Sequence, residues 1–534
     1  MAASASREGC LAVVVLYGVG MAISTFSPGS HRRDGDVDER RSSVRMHAAL
    51  APLLVAVCAC SSSTDSASHG RPDAAARPDA SVGMNGGGRG SGGSGPGGRA
   101  ASGGAAGAVA TTPDAASSVP DAKAPPGARG MDARADVGTG SSAEAGSKAD
   151  AAADAAVNTC RRFVADPALQ RKRDACGFTA GAKVAQTLED AAAARAAIKH
   201  LIVVTHENRS MDHMYGTIGH GIEGFPATYT NLDASGKAVK PAHMTTFCPA
   251  DISHSVASIT AEWDNGKMDG FVKTDGLGAF GYYEPADHPF YSWLITTFAA
   301  GDHYFCSTLG ATGENRRFLY GASANANGSA NIVTELNAAK VDWGDYFVGS
   351  SPIYNTFSLP ANFPGAHPYA EFLPALDAGT LPSVVFLDTP SDEHPPGSMR
   401  SGEGVIYDIV SHALASPLWP HLAIVFNYDE GGGFFDHVPP PPACPPTTSA
   451  ADAPYTVEGI RVPLMVISPY ARKAYVSHVH HSHTSVTRLI ELLHDLPAIS
   501  ARDANSDALL DMFDFECPDF VKAPAVGPKP PGGC

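Results

Sequence analysis

Four unbroken apolar runs, most of them stopping in acids or amides, constrain this chain more than any other feature. "HLIVV" (200–204) leads to Glu207-Asn208, and "PSVVFLD" (382–388) leads to Asp388 and then Glu393-His394. "HLAIVF" (421–426) leads to Asp429-Glu430 and on to Asp436-His437, while "VPLMVIS" (462–468) ends in Ser468-Pro469. Strands without polar alternation are buried on both faces, as in parallel sheets covered by helices. Helical spacing of apolar residues over Val405–Ala415 and "HTSVTRLIELLHDL" (483–496) supplies such covers. The pattern predicts an α/β fold with a mostly parallel central sheet. Ligands of such sheets bind at the carboxyl ends of the strands. The polar clusters are therefore expected to face one shared crevice.

The remainder of the 534 residues divides unevenly. Residues 1–60 hold two short apolar runs, and the second, "MHAALAPLLVAVCACSSS", follows Arg40, Arg41 and Arg45. A basic flank, a short apolar run and Val57-Cys58-Ala59-Cys60 are laid out as a lipoprotein export signal, with Cys60 the residue to be acylated. Plain secretion, through a twin-arginine route for example, is the competing reading. A start at Met46 would make the first 45 residues a mis-assigned beginning. Either route predicts an extracytoplasmic protein, membrane-anchored or secreted. Residues 61–158, rich in Gly, Ala, Ser and Pro, cannot bury enough apolar surface to fold and read as a disordered linker. Residues 159–534 are expected to form the catalytic domain. A net charge of −17 and the lack of a basic stripe argue against nucleic acid as a partner, and a monomer is expected.

Seven of the ten cysteines lie in or beside the globular part, none in a CxxC zinc pattern. Cys160–Cys176 and Cys517–Cys534 are the closest candidates for disulfides, and an odd number leaves at least one thiol unpaired.

Glu207, Asn208, Asp429 and Glu430 offer three carboxylates and one amide oxygen from two strand ends. Carboxylates gathered together raise one another's pKa unless a cation lies between them. Oxygen-only donors suit a hard divalent ion. The alternative is solvated loop acids paired with Arg209 and Lys199. Thr312 lies in a Gly-bracketed turn before a helix expected near Asn315. There it is either a nucleophile beside backbone N–H groups or a helix N-cap. His254 and His394 are placed to serve anionic oxygens. The histidines of "SHVHHSHTS" read as solvated loop residues, with His483 opening a helix, rather than as a second metal tract. "GYYEPADHPFY" and "AEWDNGKMDGF" bring Trp263, Tyr282 and Tyr283, suited to caging a choline headgroup or to packing a core.

Four ordered motifs, "ENRSMDHMYG", "TGENR", "DEGGGFFDHV" and "GIRVPLMVISP", together resemble a bacterial phosphoesterase family. That family holds phosphatidylcholine-hydrolysing phospholipases C, a group of acid phosphatases and the plant non-specific phospholipases C. The resemblance implies an alkaline-phosphatase-like α/β/α sandwich that hydrolyses phosphate esters, phospholipid among them, through a covalent enzyme intermediate. It implies one divalent metal ion on Glu207, Asn208, Asp429 and Glu430, with Thr312 as nucleophile and His254 and His394 on the phosphoryl oxygens. Asn315, Arg316 and His437 are the further substrate contacts it suggests. Met211 stands where the family has Phe, and Glu314 where it has Pro. The chain ends soon after "DMFDF", so extra C-terminal domains for lipid interfaces are not expected. An acid phosphatase acting on monoesters is the nearest alternative. A non-catalytic, surface-tethered binding lipoprotein is the alternative of another class. A sulfatase-like reading lacks the CxPxR-type segment.

Overall fold

The computed structural model describes residues 163–534 apart from 189–190, 327–329 and 360–363. The expected export segment, Cys60 and the linker over 61–158 lie outside the described residues. None of the described helices is long and apolar enough to cross a membrane.

Eight strands form the central sheet: β1 (His200–His206), β2 (Ala299–Gly301), β3 (Trp343–Phe347), β4 (Ala366–Pro368), β5 (Val384–Leu387), β6 (Leu422–Tyr428), β7 (Leu464–Ile467) and β8 (Tyr475–Ser477). Their order across the sheet is β8-β2-β7-β6-β1-β5-β3-β4. Every neighbouring pair is parallel except the two that involve β7. Leu201 to Val204 and all of β6 are buried, so helices cover both faces of the sheet, as the apolar runs predict. One group of helices includes Thr312–Gly321 and His483–His494, which pack together; another includes Met399–Ala415.

The expectation for the fourth run is corrected. β7 is antiparallel, pairing Ile467 with Ile424 and Leu464 with Asn427. Its Ser468-Pro469 end therefore lies at the opposite edge of the sheet, where Ser468 Oγ donates to the Leu422 carbonyl at the start of β6. An apolar run carries no sign of strand direction, so the sequence could not separate β7 from its parallel neighbours.

The cysteine pairing also differs from nearness in sequence. Cys176 pairs with Cys444 and Cys248 with Cys534, across separations of 268 and 286 residues. Cys517 is also disulfide-bonded, and Cys306 is a buried free thiol.

The histidine-rich stretch is less solvated than its composition suggests. His483 does open the helix His483–His494, but it and His481 are fully buried. His481 Nδ1 lies 2.6 Å from Asp507 Oδ2 and its Nε2 lies 3.3 Å from Asp511 Oδ1. Burial alone would depress its pKa, but the two carboxylates outweigh it and hold the imidazole at about 10. The folded value lies above the unfolded ~6.5, so this cation's stabilisation is complete below about pH 6.5 and fades as pH rises through about 10. His481→Gln should therefore melt well below the wild type at pH 6, with the gap closing toward pH 10. Thermal melts across that range test this, and a gap independent of pH would contradict it.

Candidate active site

The register of β1 against β6 sets the site. His206 lies opposite Tyr428, so Glu207 and Asp429 leave the sheet side by side. Backbone bonds continue the pairing past the strands: Asp429 N–H donates to His206 O (3.0 Å) and Arg209 N–H to Glu430 O (3.1 Å). Asn208 turns there through a left-handed conformation (φ 65°), and Ser210 then caps the short helix Met211–Tyr215. The following glycines have a packing reason. A Cβ on Gly432 (φ 65°) would stand 2.6 Å from Asn208 Cβ, and one on Gly433 (φ 73°) 2.5 Å from Ile252 Cγ2. Glycine thus lets the Asp429-Glu430 loop close on Asn208 and on the segment carrying His254.

Charge is concentrated here. Arg316 donates to Glu207 Oε1 (2.8 Å), Asp388 Oδ1 (2.5 Å) and Asp429 Oδ2 (3.2 Å). One guanidinium cannot neutralise these three carboxylates and Glu430 as well. Burial, then the charge of Asp429, pushes Glu207 up to about 7 against the pull of Arg316. Burial likewise raises Asp429 to about 6, while burial and Asp429 drive Glu430 well above the carboxylate range. Asn208 Oδ1, Asp429 Oδ1 and Glu430 Oε1 are buried without a hydrogen-bond partner. Such orphans are costly unless a ligand satisfies them. Three of the four expected ligands thus present a free oxygen, and the donor set fits a hard divalent cation.

Thr312 is the first residue of the helix Thr312–Gly321, and Ala311 occupies the N-cap without a side-chain bond. The N-cap alternative for Thr312 is thereby set aside. Among the described residues nothing engages its hydroxyl. Arg316, four residues on, shares its helix face and points to the acids. Asn315 is committed to shaping the loop: its amide donates to Gly310 O (2.8 Å) and accepts from Thr308 N–H (3.1 Å). His254 and His394 come together, ring centroids 5.4 Å apart, and the charge of His394 acts on Glu207.

His437 is bonded elsewhere. Its Nδ1 lies 2.6 Å from Asp212 Oδ2, in an ionic cluster where Arg461 bridges Asp212 and Asp436. The proposed choline cage also dissolves into packing. Tyr283 is fully buried against Phe247, and Trp263 and Tyr282 pack on a small separate apolar cluster.

Three supports were missing from the sequence reading. Asp388 ends β5 in the same manner as Glu207 ends β1, a signal present but not assigned to the site. His483 is a buried strut: its Nε2–H donates to Asp429 O (2.7 Å) and Tyr304 Oη donates to its Nδ1 (2.6 Å). Burial holds it neutral, its pKa pushed down to about 4, which this pair of bonds requires. Glu393 is a hub beside His394 and accepts from Tyr291, Tyr428 (3.0 Å) and His206 (3.3 Å). Its partners are scattered along the chain, so no local pattern marks it.

The profile of the Phosphoesterase family matches residues 198–497, a stretch that contains every residue of this constellation. The chain belongs to the Phosphoesterase family. As a phosphoesterase it is a phosphoric ester hydrolase. It is similar to Phospholipase C B of Mycobacterium tuberculosis, 28% identical over 416 residues, covering 61% of this chain and 80% of that one. Non-hemolytic phospholipase C of Burkholderia pseudomallei is 25% identical, covering 60% of each chain. Non-specific phospholipase C4 of Arabidopsis thaliana is 25% identical, covering 61% of this chain and 74% of its own. A solved protein of the alkaline phosphatase superfamily from Vibrio parahaemolyticus overlaps 54% of this phosphoesterase and 75% of its own chain, at TM-score 0.28 and 10% identity.

Gly432→Ala tests the closure of the acidic loop on Asn208. The strained φ and the new contact with Asn208 should cost about 1–3 kcal/mol in chemical denaturation, with a loss of turnover. Unchanged stability and turnover would show that the loop need not sit so close.

Proposed function

We propose that the protein is a phospholipase C-like phosphodiesterase that is metal-dependent and passes through a phosphothreonine at Thr312. The observation that carries this is the set of orphaned oxygens on Asn208, Asp429 and Glu430, beside the helix whose first residue is an unengaged threonine. The relatives named phospholipase C support the substrate class.

A divalent cation held by Glu207, Asn208, Asp429 and Glu430 would neutralise phosphoryl charge and ease deprotonation of the hydroxyl at Thr312. The remaining work falls to the chain. Arg316 fixes Glu207 and Asp429 in orientation and Asn315 fixes the loop. The Thr312 hydroxyl gives its proton to water as Oγ attacks phosphorus, and the bond to the leaving alkoxide breaks as that oxygen takes up a proton. His254 and His394 contact the phosphoryl oxygens, and either imidazole is a suitable acid for the departing group. Unpaired N–H groups at the start of the Thr312 helix receive the charge that develops. Water then cleaves the phosphothreonine, returning the hydroxyl and releasing the phosphorylated headgroup.

Glu314, in the first turn of that helix, sets the preference for diesters over monoesters, because its charge repels a dianion more than a monoanion. Anchoring through an acylated Cys60, or secretion, completes the proposal, and the disulfides suit an oxidising compartment.

Purified protein assayed on p-nitrophenyl phosphorylcholine, phosphatidylcholine and p-nitrophenyl phosphate should lose activity with chelator. Thr312→Ala should lose about a thousandfold or more in turnover while keeping its bound metal. Turnover that survives this substitution removes the nucleophile from the proposal. Glu314→Gln should raise kcat/KM on the monoester severalfold relative to the diester. An unchanged ratio would leave Glu314 without a role in selection.

A further inference from the structure

A second set of donors, of different chemistry, borders the oxygen set. One ligand atom from each of Asp251, His254 and His394 lies within 4.8 Å of the other two. Asp251 Oδ1 stands 3.7 Å from His254 Nδ1, too far for a hydrogen bond. Neither imidazole makes a side-chain hydrogen bond among the described residues. Instead His254 Nδ1 lies 2.8 Å from Ile252 O and His394 Nδ1 lies 2.7 Å from Pro395 O. Backbone anchoring of this kind orients imidazoles that bind metal and leaves the other ring nitrogen for the ion. The trio lies in the field of the acids: the charge of Asp251 acts on Glu430, and that of His394 on Glu207. The Asp251 side chain is 48% exposed, so an ion can reach it from solvent.

We infer that Asp251, His254 and His394 form a second cation site, selective for a transition divalent ion such as zinc, and that filling it inhibits the enzyme. Selectivity follows from the donors. Two imidazoles and one carboxylate suit zinc, cobalt or nickel, whereas Glu207, Asn208, Asp429 and Glu430 offer oxygen alone and suit magnesium, calcium or manganese. Inhibition follows from shared groups. An imidazole nitrogen bound to an ion cannot donate to a phosphoryl oxygen or protonate a leaving alkoxide. The inhibitory half of this inference rests on the roles proposed above for His254 and His394; the binding half does not.

The experiment is a Co2+ titration of the full chain preloaded with Mg2+, read by visible absorption, beside Zn2+ inhibition of diester turnover. The wild type should develop a cobalt band that saturates at one ion per chain, and micromolar Zn2+ should inhibit. Asp251→Asn should weaken cobalt binding about tenfold or more and raise the inhibitory zinc concentration in step, and His254→Gln or His394→Gln should abolish the band. A band unchanged in Asp251→Asn, or one lost in Glu430→Gln but kept in His394→Gln, overturns the site. Cobalt binding as expected with no zinc inhibition overturns the inhibitory half. Because the titration needs no turnover, it decides the site even if Thr312→Ala stays active and the proposed reaction falls.

Discussion

Several carboxylates gathered at one edge of the sheet, with the guanidinium of Arg316 bonded to three of them, is the constraint on which the rest of the structure depends. Glu207, Asp388 and Asp429 leave three adjacent parallel strands at the same edge, and Arg316 touches all three. Glu430 adds a fourth carboxyl group with one oxygen unpartnered. In water such acids would repel one another weakly; buried, each raises the proton affinity of the next. A sheet core optimised only for stability would not hold this arrangement, since well-packed apolar residues often match or exceed buried ion pairs in stability. The cluster is a site whose electrostatic deficit a cation can relieve.

Holding such a deficit in place requires stiff surroundings. The Asp429 carbonyl rests on neutral His483, which is fixed in turn by Tyr304. On the other flank Glu393 gathers two tyrosine hydroxyls and His206, while Arg209 donates to its carbonyl at 2.8 Å. That anchor sets the backbone one residue before His394. Gly402 shows how close the packing is, since a Cβ there would stand 2.2 Å from Glu393 Cγ. Each flank joins elements distant in sequence, so the geometry of the site depends on the whole sheet being formed.

Much of the arrangement was legible because it rests on short-range signals. Unbroken apolar runs marked β1, β5 and β6, and acids at their ends marked the crevice. Those signals are local, and strand ends in a parallel sheet converge by geometry. What escaped depended on partners remote in sequence. The antiparallel course of β7 is set by its pairing with β6 and β2, and its apolar run looks like any other. His481 read as a solvated residue because Asp507 and Asp511, which neutralise it, lie on a later turn. His437 adjoins the acidic motif in sequence, yet Asp212 draws it into another ionic cluster. Disulfide partners nearly three hundred residues apart, by the separations of 268 and 286, could not be found by proximity along the chain.

The covalent ties carry a practical consequence. Cys176–Cys444 fastens the segment ahead of β1 to the loop beyond the acidic motif, and Cys248–Cys534 fastens the His254 region to the last residue. Bridges spanning such long loops restrain the unfolded chain strongly, so a reducing cytosol would yield a looser and less recoverable product than an oxidising host compartment. The one free thiol among the described residues, Cys306, is sealed in the interior, where burial drives its pKa well above the usual thiol value. Once folded, the protein therefore carries no accessible thiolate from Cys306 to start disulfide exchange.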